Sequence, residues 1–206
     1  MYLREVSVVV IGVAITLLAT NWLTGRSEKR DMDLYLNAVN MEMDENIKNL
    51  DMAIAYIRPN ANYAKYLESH GRESQNADTL AYYANTCCFT IKDFSFKTDA
   101  FEMFKSSGIM RFLNDKELMQ TLWETYAAFL LVEKRLDWYF QLKWEAMEKE
   151  ASSLIDNGVE EEDLISDPIM YGFYIFDIHT PIMSNCESAL RTAKEAVGKL
   201  EEYSQR

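Results

Sequence analysis

The residues best suited to chemistry are Asp177 and His179, which stand two positions apart beside an aromatic block. A carboxylate and an imidazole at this spacing could ligate a metal or transfer a proton, with Asp163 or Asp167 as a third group. Because the sequence places no third ligand, an exposed pair near a helix cap is the favoured interpretation. The acidic run that begins at Glu160 is likewise better explained as a solvated first helical turn than as a cation site.

Ser106, Ser107 and Gly108 form a second candidate, because a Ser-Ser-Gly turn could hold a nucleophile or bind an anion. The flanking sequence contains no G-x-S-x-G pattern, no P-loop lysine and no histidine close by. The alternative explanation, a helix that ends at Gly108, requires only the residues that are present. We therefore predict a structural turn here and, for the whole chain, no catalytic residue, no cofactor and no metal. The chain is not expected to be an enzyme.

The three cysteines, Cys87, Cys88 and Cys186, cannot all pair with one another. At least one of them is a free thiol or bonds another chain. A bridge from Cys186 to Cys87 or to Cys88 fits an oxidising compartment, whereas buried thiols that behave as small apolar residues are the commoner case. Their spacing matches no zinc or redox motif.

The apolar run over 6–23 contains no charged residue. At about 1.5 Å per residue, a helix of this length covers roughly 27 Å, enough to cross the hydrocarbon core of a bilayer once. A cleaved signal peptide fits poorly, because the run is too long and no small-x-small site lies cleanly at its end. We predict an uncleaved signal anchor over 1–30 and a single-pass protein of the inner membrane.

Four residues at the end of this run are typical of a membrane interface: Trp22, Arg26, Lys29 and Arg30. An indole favours the headgroup layer, and basic side chains anchor the helix in water. The basic residues on the two flanks of the run nearly balance, so the charge rule leans only slightly toward a cytoplasmic domain.

Small residues recur every four positions along one face of the span, at Gly12, Thr16 and Thr20. Such a face allows two helices to approach closely in a bilayer. Because small residues are common in membrane helices, self-association through this face is the less favoured of the two explanations.

Beyond the anchor, apolar residues recur at steps of three and four, which predicts helices. The predicted helices cover 30–57, 62–69, 79–88, 98–108 and 115–156, with a last one from 180 onward. Pro59 is expected to end the first helix, Asn114 and Asp115 to cap the long one, and Thr180 and Pro181 to start the last. Segment 89–97 is either extended or a buried loop.

These helices predict an all-α fold, in which an N-terminal transmembrane helix continues into an elongated antiparallel helical bundle with coiled-coil-like seams. Residues 31–206 form one acidic soluble domain. The chain carries 21 basic and 33 acidic residues, a net charge of -12. Such a surface repels nucleic acid, and it repels anionic headgroups beyond the basic cluster next to the membrane, so nucleic acid is excluded as a partner.

The long helix carries more aromatic residues than one core-facing stripe needs. Trp123, Trp138 and Trp144 stand out, together with Tyr139 and Phe140. The excess indicates a second buried face, either a docking surface for another subunit or the surroundings of a helix at the centre of its own bundle.

Two segments resemble a domain-of-unknown-function family of bacterial single-pass membrane proteins. Residues 4–15 read REVSVVVIGVAI and are followed by Asn21-Trp22, which is similar to that family's N-terminal anchor. Residues 100–108 read AFEMFKSSG and continue through Asn114 and Leu118 to Tyr126, which is similar to its internal Ser-Gly, Asn, Leu, Tyr signature. The order and spacing agree across most of the chain.

The resemblance implies a single anchor, a helical periplasmic domain, and a structural role for the turn at Ser107, Gly108 and Asn114. It carries over no catalytic residue. We expect a structural or interaction subunit of a cell-envelope assembly, either a homo-oligomer or bound to another envelope protein. The alternative is a tethered sensory or ligand-binding domain that signals through a partner.

Overall fold

The fold is given by a computed structural model. It describes residues 2–70, 76–83, 86–87, 90–157, 173–174 and 178–205. For residues 2–10, 12, 77, 80, 150–151 and 153–157 it describes the helical backbone alone. The described residues are almost entirely helical and contain no strand, which confirms the all-α class and the helical bundle.

The first helix, α1, runs without interruption over Tyr2–His70. This confirms that no break separates the apolar run from the first bundle helix. The prediction that Pro59 ends the helix is wrong, because Pro59 lies inside α1 and residues 62–69 continue the same helix. The helix survives the lost backbone donor because the turns beyond Pro59 are anchored, with Ala61, Tyr63 and Leu67 buried in the core.

The two parts of α1 differ in what surrounds them. Within 11–23 every described side chain is exposed, including Ile15 at 62% and Leu18 at 69%. From Met32 onward, apolar side chains are buried at steps of three and four. Across the described part of the chain, no helix combines the length and apolarity that a bilayer crossing requires. The side chains of 1–10 and Gly12 lie outside the described set.

The part of the chain between α1 and the next long helix runs back along α1, and we call it the return segment. The described elements of this return are α2, Ala77–Tyr83, the helix α3, Asp99–Ser106, and a short 3-10 helix, Ile109–Phe112. Between α2 and α3, residues 90–98 form a loop and not a strand, in which Phe94 and Phe96 are buried in the core and the residues that flank them are exposed. Asparagine side chains of α1 hold this loop: Asn46 bonds both the N–H and the carbonyl of Lys97, each at 2.8 Å.

Because of this return, the next long helix starts beside the middle of α1. This helix, α4, covers Lys116–Asn157, close to the predicted 115–156. It runs parallel to α1, since Tyr126 contacts Glu42 and, further along both helices, Lys143 contacts Tyr56. The last helix, α5, covers His179–Ser204 and begins one residue before the predicted Thr180 cap.

α5 is antiparallel to both long helices, as its contacts show. His179 at its start meets Tyr139, and Lys199 near its end meets Thr121 at 2.9 Å. Hydrogen bonds to Glu117 and Glu195, each at 2.9 Å, raise the pKa of Lys199. The predicted antiparallel arrangement is therefore right for α5 and wrong for α1 with α4, because the return segment restores the original direction.

One core joins the three long helices. Most of its larger fully buried side chains are aliphatic or aromatic, such as Leu50, Phe104 and Phe129. Each such side chain contributes about 1.5–3 kcal/mol relative to an exposed position. Phe96 stacks on Phe129 at 5.4 Å and Phe101 on Tyr126 at 4.2 Å, so the return segment is part of the core.

Candidate functional site

The prediction of an exposed pair near a helix cap is wrong for His179. Its side chain is fully buried, stacks on Tyr174 at 5.1 Å and bonds the Tyr139 hydroxyl through Nδ1 at 3.1 Å. Asp177, with the acidic residues 160–163 and 167, lies outside the described residues. Among the residues that are described, no group of three His, Cys, Asp or Glu side chains could hold a metal.

The turn at Ser107 and Gly108 is held by local contacts and a left-handed glycine. Gly108 follows α3 with φ +74°, the left-handed conformation that an L side chain rarely adopts. Ser107 Oγ donates to the Phe104 carbonyl at 2.8 Å and accepts from the Ile109 N–H at 3.1 Å. Both of these hydrogen bonds are to nearby backbone groups, so the hydroxyl stabilises the turn. Asn114 is exposed, and Asp115 alone caps α4 by accepting from the Leu118 N–H at 3.0 Å.

Cys87 and Cys186 are both buried, and no disulfide joins these two. Cys88 lies outside the described residues. Burial raises the pKa of Cys186 to about 12, which keeps its thiol protonated and unreactive near neutral pH. Cys186 therefore acts as a small apolar side chain.

A buried carboxylate on α1 fixes the return segment. Glu42 accepts from the backbone N–H groups of Ala100 at 2.8 Å and Phe101 at 3.3 Å. It therefore caps the start of α3 from another helix, whereas Thr98, the residue at the N-cap position of α3, makes no such side-chain bond. Glu42 also accepts from the Tyr126 hydroxyl at 2.6 Å. Burial and then this hydrogen bond raise the pKa of Tyr126.

A buried lysine of α4 forms hydrogen bonds with both α1 and the return segment. Lys143 of α4 is fully buried, and its Nζ donates to the Tyr56 hydroxyl at 2.9 Å, the Thr90 carbonyl at 2.9 Å and Asn60 Oδ1 at 3.3 Å. The carbonyl of Cys87 is a fourth acceptor within reach of this ammonium, so its three N–H donors are shared among four oxygens. Asn60 Oδ1 accepts a further bond from the Tyr174 hydroxyl at 2.9 Å. This cluster is packed and saturated with hydrogen bonds, so its arrangement supports a structural role.

The outer face of α4 is apolar and exposed. We define the outer α4 face as Trp123, Leu130, Leu131 and Trp138, which are 46–50% exposed. At 100° per residue these four lie within about 100° of arc, interrupted by Lys134. Trp144 is 57% exposed but lies about 120° around the helix from Trp138, so it does not belong to this face.

Both tryptophans of the outer α4 face have defined surroundings. Trp123 is held in place because its ring meets Phe101 edge-on at 5.2 Å and Lys105 Nζ lies 4.7 Å from its centre. Trp138 borders a cavity of about 300 Å³ together with Arg135, Ile178 and Pro181. Preordered tryptophans beside an arginine and a small pocket are typical of interface anchors.

The interface residues predicted at the end of the apolar run are exposed on α1. Trp22 is 62% exposed, and the Arg26 guanidinium lies 5.6 Å from its ring centre. Arg30 lies 3.8 Å from Asp31, and Lys29 borders a cavity at the base of the bundle. Thr16 and Thr20 are exposed on one face, with Thr20 Oγ1 donating to the Thr16 carbonyl at 2.9 Å.

Comparisons with protein families, with curated proteins and with solved structures find no match to this chain. The resemblance to the single-pass membrane family therefore stays a prediction.

Sequence reasoning missed the three buried polar anchors Glu42, Asn60 and Lys143. The pattern that could have found them is their register: Lys143 follows the buried Leu136, Tyr139 and Phe140 at core spacing. A charged residue at a core position is uncommon unless it has a partner. The sequence thus marks such residues as buried, although it does not identify their partners.

Proposed function

We propose that this chain is a structural or interaction subunit of a cell-envelope assembly, held in the inner membrane by the first part of α1. One observation carries the proposal: α1 is a single helix whose first part carries exposed apolar side chains and whose second part lies in the bundle core. A rod of this kind places the folded domain directly at the bilayer surface.

The apolar part of α1 supports the anchoring half of the proposal. Its exposed side chains include Ile11, Val13, Ile15, Leu17, Leu18 and Leu23. Exposing them to water forfeits about 1.5–3 kcal/mol for each large side chain, which a hydrocarbon environment restores. Trp22 and Arg26 follow at the depth where an indole and a cation favour the headgroup layer.

The outer α4 face supports the interaction half. A single exposed leucine is ordinary, but an ordered stripe of two tryptophans and two leucines on a chain of net charge -12 is typical of a contact surface. We propose that a second copy of this chain or another envelope protein covers it. The face lies on a helix parallel to α1, so it is oriented along the proposed membrane normal.

A crosslinking experiment in native membranes tests this face. A photo-crosslinking residue in place of Ala127, which is exposed between Trp123 and Leu130, should give one discrete adduct. An adduct of twice the chain mass would identify a second copy, and any other discrete mass a different subunit. Leu130→Glu with Leu131→Glu should abolish the adduct, because charged side chains disrupt an apolar contact. The contact would contain four carboxylates if a second copy binds symmetrically, and two if a different protein binds.

The matched control is Leu34→Glu with Met41→Glu, which changes two exposed apolar residues of α1 outside the outer α4 face. This variant should keep the adduct. If the wild-type chain remains uncrosslinked, or if both double variants lose the adduct equally, the outer α4 face is not a docking surface.

We propose a periplasmic domain, with a cytoplasmic domain as the alternative. Because Cys186 is buried, labelling needs an added thiol, and Glu202→Cys supplies one at an exposed position of α5. A membrane-impermeant maleimide should label this variant in intact cells above the background of the unmodified chain. Labelling only after the cells are opened would assign the domain to the cytoplasm.

A further inference from the structure

A polar cavity lies at the base of the bundle, where α1 leaves its apolar part. It has a volume of about 430 Å³, within the range of small-molecule sites, and separates α1 from the 3-10 helix and the end of α5. Its polar lining consists of Glu28, Lys29, Arg111, Asn114 and Tyr203. Met32 and Phe112 supply apolar walls.

Two cations on different elements, Lys29 of α1 and Arg111 of the 3-10 helix, line this cavity. Within the described part of the chain neither Lys29 nor Arg111 forms an ion pair, although acidic residues outnumber basic ones by 33 to 21. The Arg111 guanidinium lies 4.5 Å from the centre of the Phe112 ring, which orients it beside the cavity. Two cations that line one cavity from separate elements are a suitable site for a phosphate group.

The position of the cavity along α1 matches the headgroup layer. Lys29 follows Leu23, the end of the apolar run, by six residues or about 9 Å. A headgroup layer is roughly 5–7 Å deep, and helical side chains lean toward the N-terminus, so the ammonium of Lys29 can reach back into this layer.

We propose that this cavity binds the phosphodiester headgroup of an anionic glycerophospholipid. Lys29 and Arg111 would hold the phosphate, and the Glu28 carboxylate would accept a hydrogen bond from a hydroxyl at the end of the headgroup. The inference rests on the proposed membrane anchoring, which brings such lipids to the cavity. Beyond anchoring, we infer that the cavity at the base of the bundle distinguishes anionic phospholipids from other lipids.

Thermal unfolding of the full chain in detergent micelles, with phosphatidylglycerol added, tests this site. Phosphatidylglycerol should raise Tm in a saturable manner. Phosphatidylcholine, which lacks a net charge and a donor, and inorganic phosphate should not do so. Lys29→Gln and Arg111→Gln should each weaken the apparent affinity for phosphatidylglycerol about tenfold, because each removes a charged contact to phosphate.

Arg30→Gln is the matched control, since Arg30 carries the same charge one residue further along α1 but does not line the cavity. It should keep the full response to phosphatidylglycerol. An equal response to both lipids, or equal losses in all three variants, would overturn the proposal. A response to inorganic phosphate alone would assign the cavity to a free anion. Retention of every variant in alkali-washed membranes checks the anchor separately, so loss of the site and loss of the anchor are distinguishable.

Discussion

Individual polar residues at core positions determine how the return segment lies on the bundle. Glu42, Asn46 and Lys143 each take a place that the helical spacing reserves for apolar side chains, and each is buried. Each of them bonds backbone groups of the segment between α1 and α4. Loop backbone that packs inside a bundle needs such partners, because its N–H and carbonyl groups lose water. At the residue scale the fold depends on a few buried hydrogen bonds.

Glu42→Gln tests the cap that α1 provides for α3. The amide keeps the shape of the side chain but replaces one acceptor oxygen by a donor, which then faces a backbone N–H or the Tyr126 hydroxyl. We expect the free energy of unfolding to fall by about 2 kcal/mol. Urea unfolding of the full chain in micelles measures this change.

Glu45→Gln is the control for this variant. Glu45 is an exposed acid one turn further along α1 that pairs with Lys97, and this hydrogen bond lowers the pKa of Glu45. Water and salt screen such a pair, so its loss should have a much smaller effect on stability. Equal effects of the two substitutions would show that the buried cap contributes nothing beyond an exposed ion pair.

Lys143→Met tests the second buried anchor. Methionine fills a similar volume but leaves Asn60 Oδ1 and the carbonyls of Cys87 and Thr90 without the Lys143 donor. We expect a loss of about 3 kcal/mol in the free energy of unfolding. Lys134→Met, which changes an exposed lysine of the same helix, should leave the urea midpoint nearly unchanged. A stable Lys143→Met variant would contradict the structural role of the cluster.

At the scale of whole elements, two glycines differ in whether their backbone conformation requires glycine. Gly108 has φ +74° between α3 and the 3-10 helix, whereas Gly198 lies within α5 and an added Cβ there meets nothing within 4 Å. Gly108→Ala should cost about 1 kcal/mol because alanine is strained at positive φ, and Gly198→Ala should add up to about 1 kcal/mol.

Paired urea midpoints of these two glycine variants provide the measurement. Opposite signs are expected, since the two substitutions add the same methyl group to different backbone conformations. A neutral Gly108→Ala would mean that the left-handed turn is not required to end α3.

The elements that periodicity could predict are the long ones. Steps of three and four identified α4 and the part of α1 over 30–57, because repeated burial on one face leaves a regular pattern. Pro59 misled the prediction, because local propensity favours a stop but the core contacts of Tyr63 and Leu67 outweigh it. The parallel direction of α1 and α4 could not be predicted, because it depends on long-range bonds such as that of Glu42 to Ala100.

At the scale of the whole molecule, α1 combines an exposed apolar part and a core-forming part in one helix. Its residues 11–23 carry apolar side chains outward, and its later turns support α4, α5 and the return segment. Of the candidate surfaces, the sequence identified Trp123 and Trp138. It did not identify the cavity at Lys29 and Arg111, because these residues are 82 positions apart in the chain.

The most direct test of the account is alkaline extraction of membranes that contain the full chain. The wild type should remain in the membrane pellet. Ile15→Lys with Leu18→Lys should release it, because each charge in the hydrocarbon core costs about 3 kcal/mol. Leu34→Lys with Met41→Lys, at equally exposed positions of the bundle part of α1, should stay in the pellet. Release of the wild type, or identical behaviour of the two double variants, would contradict the claim that α1 is both anchor and core helix.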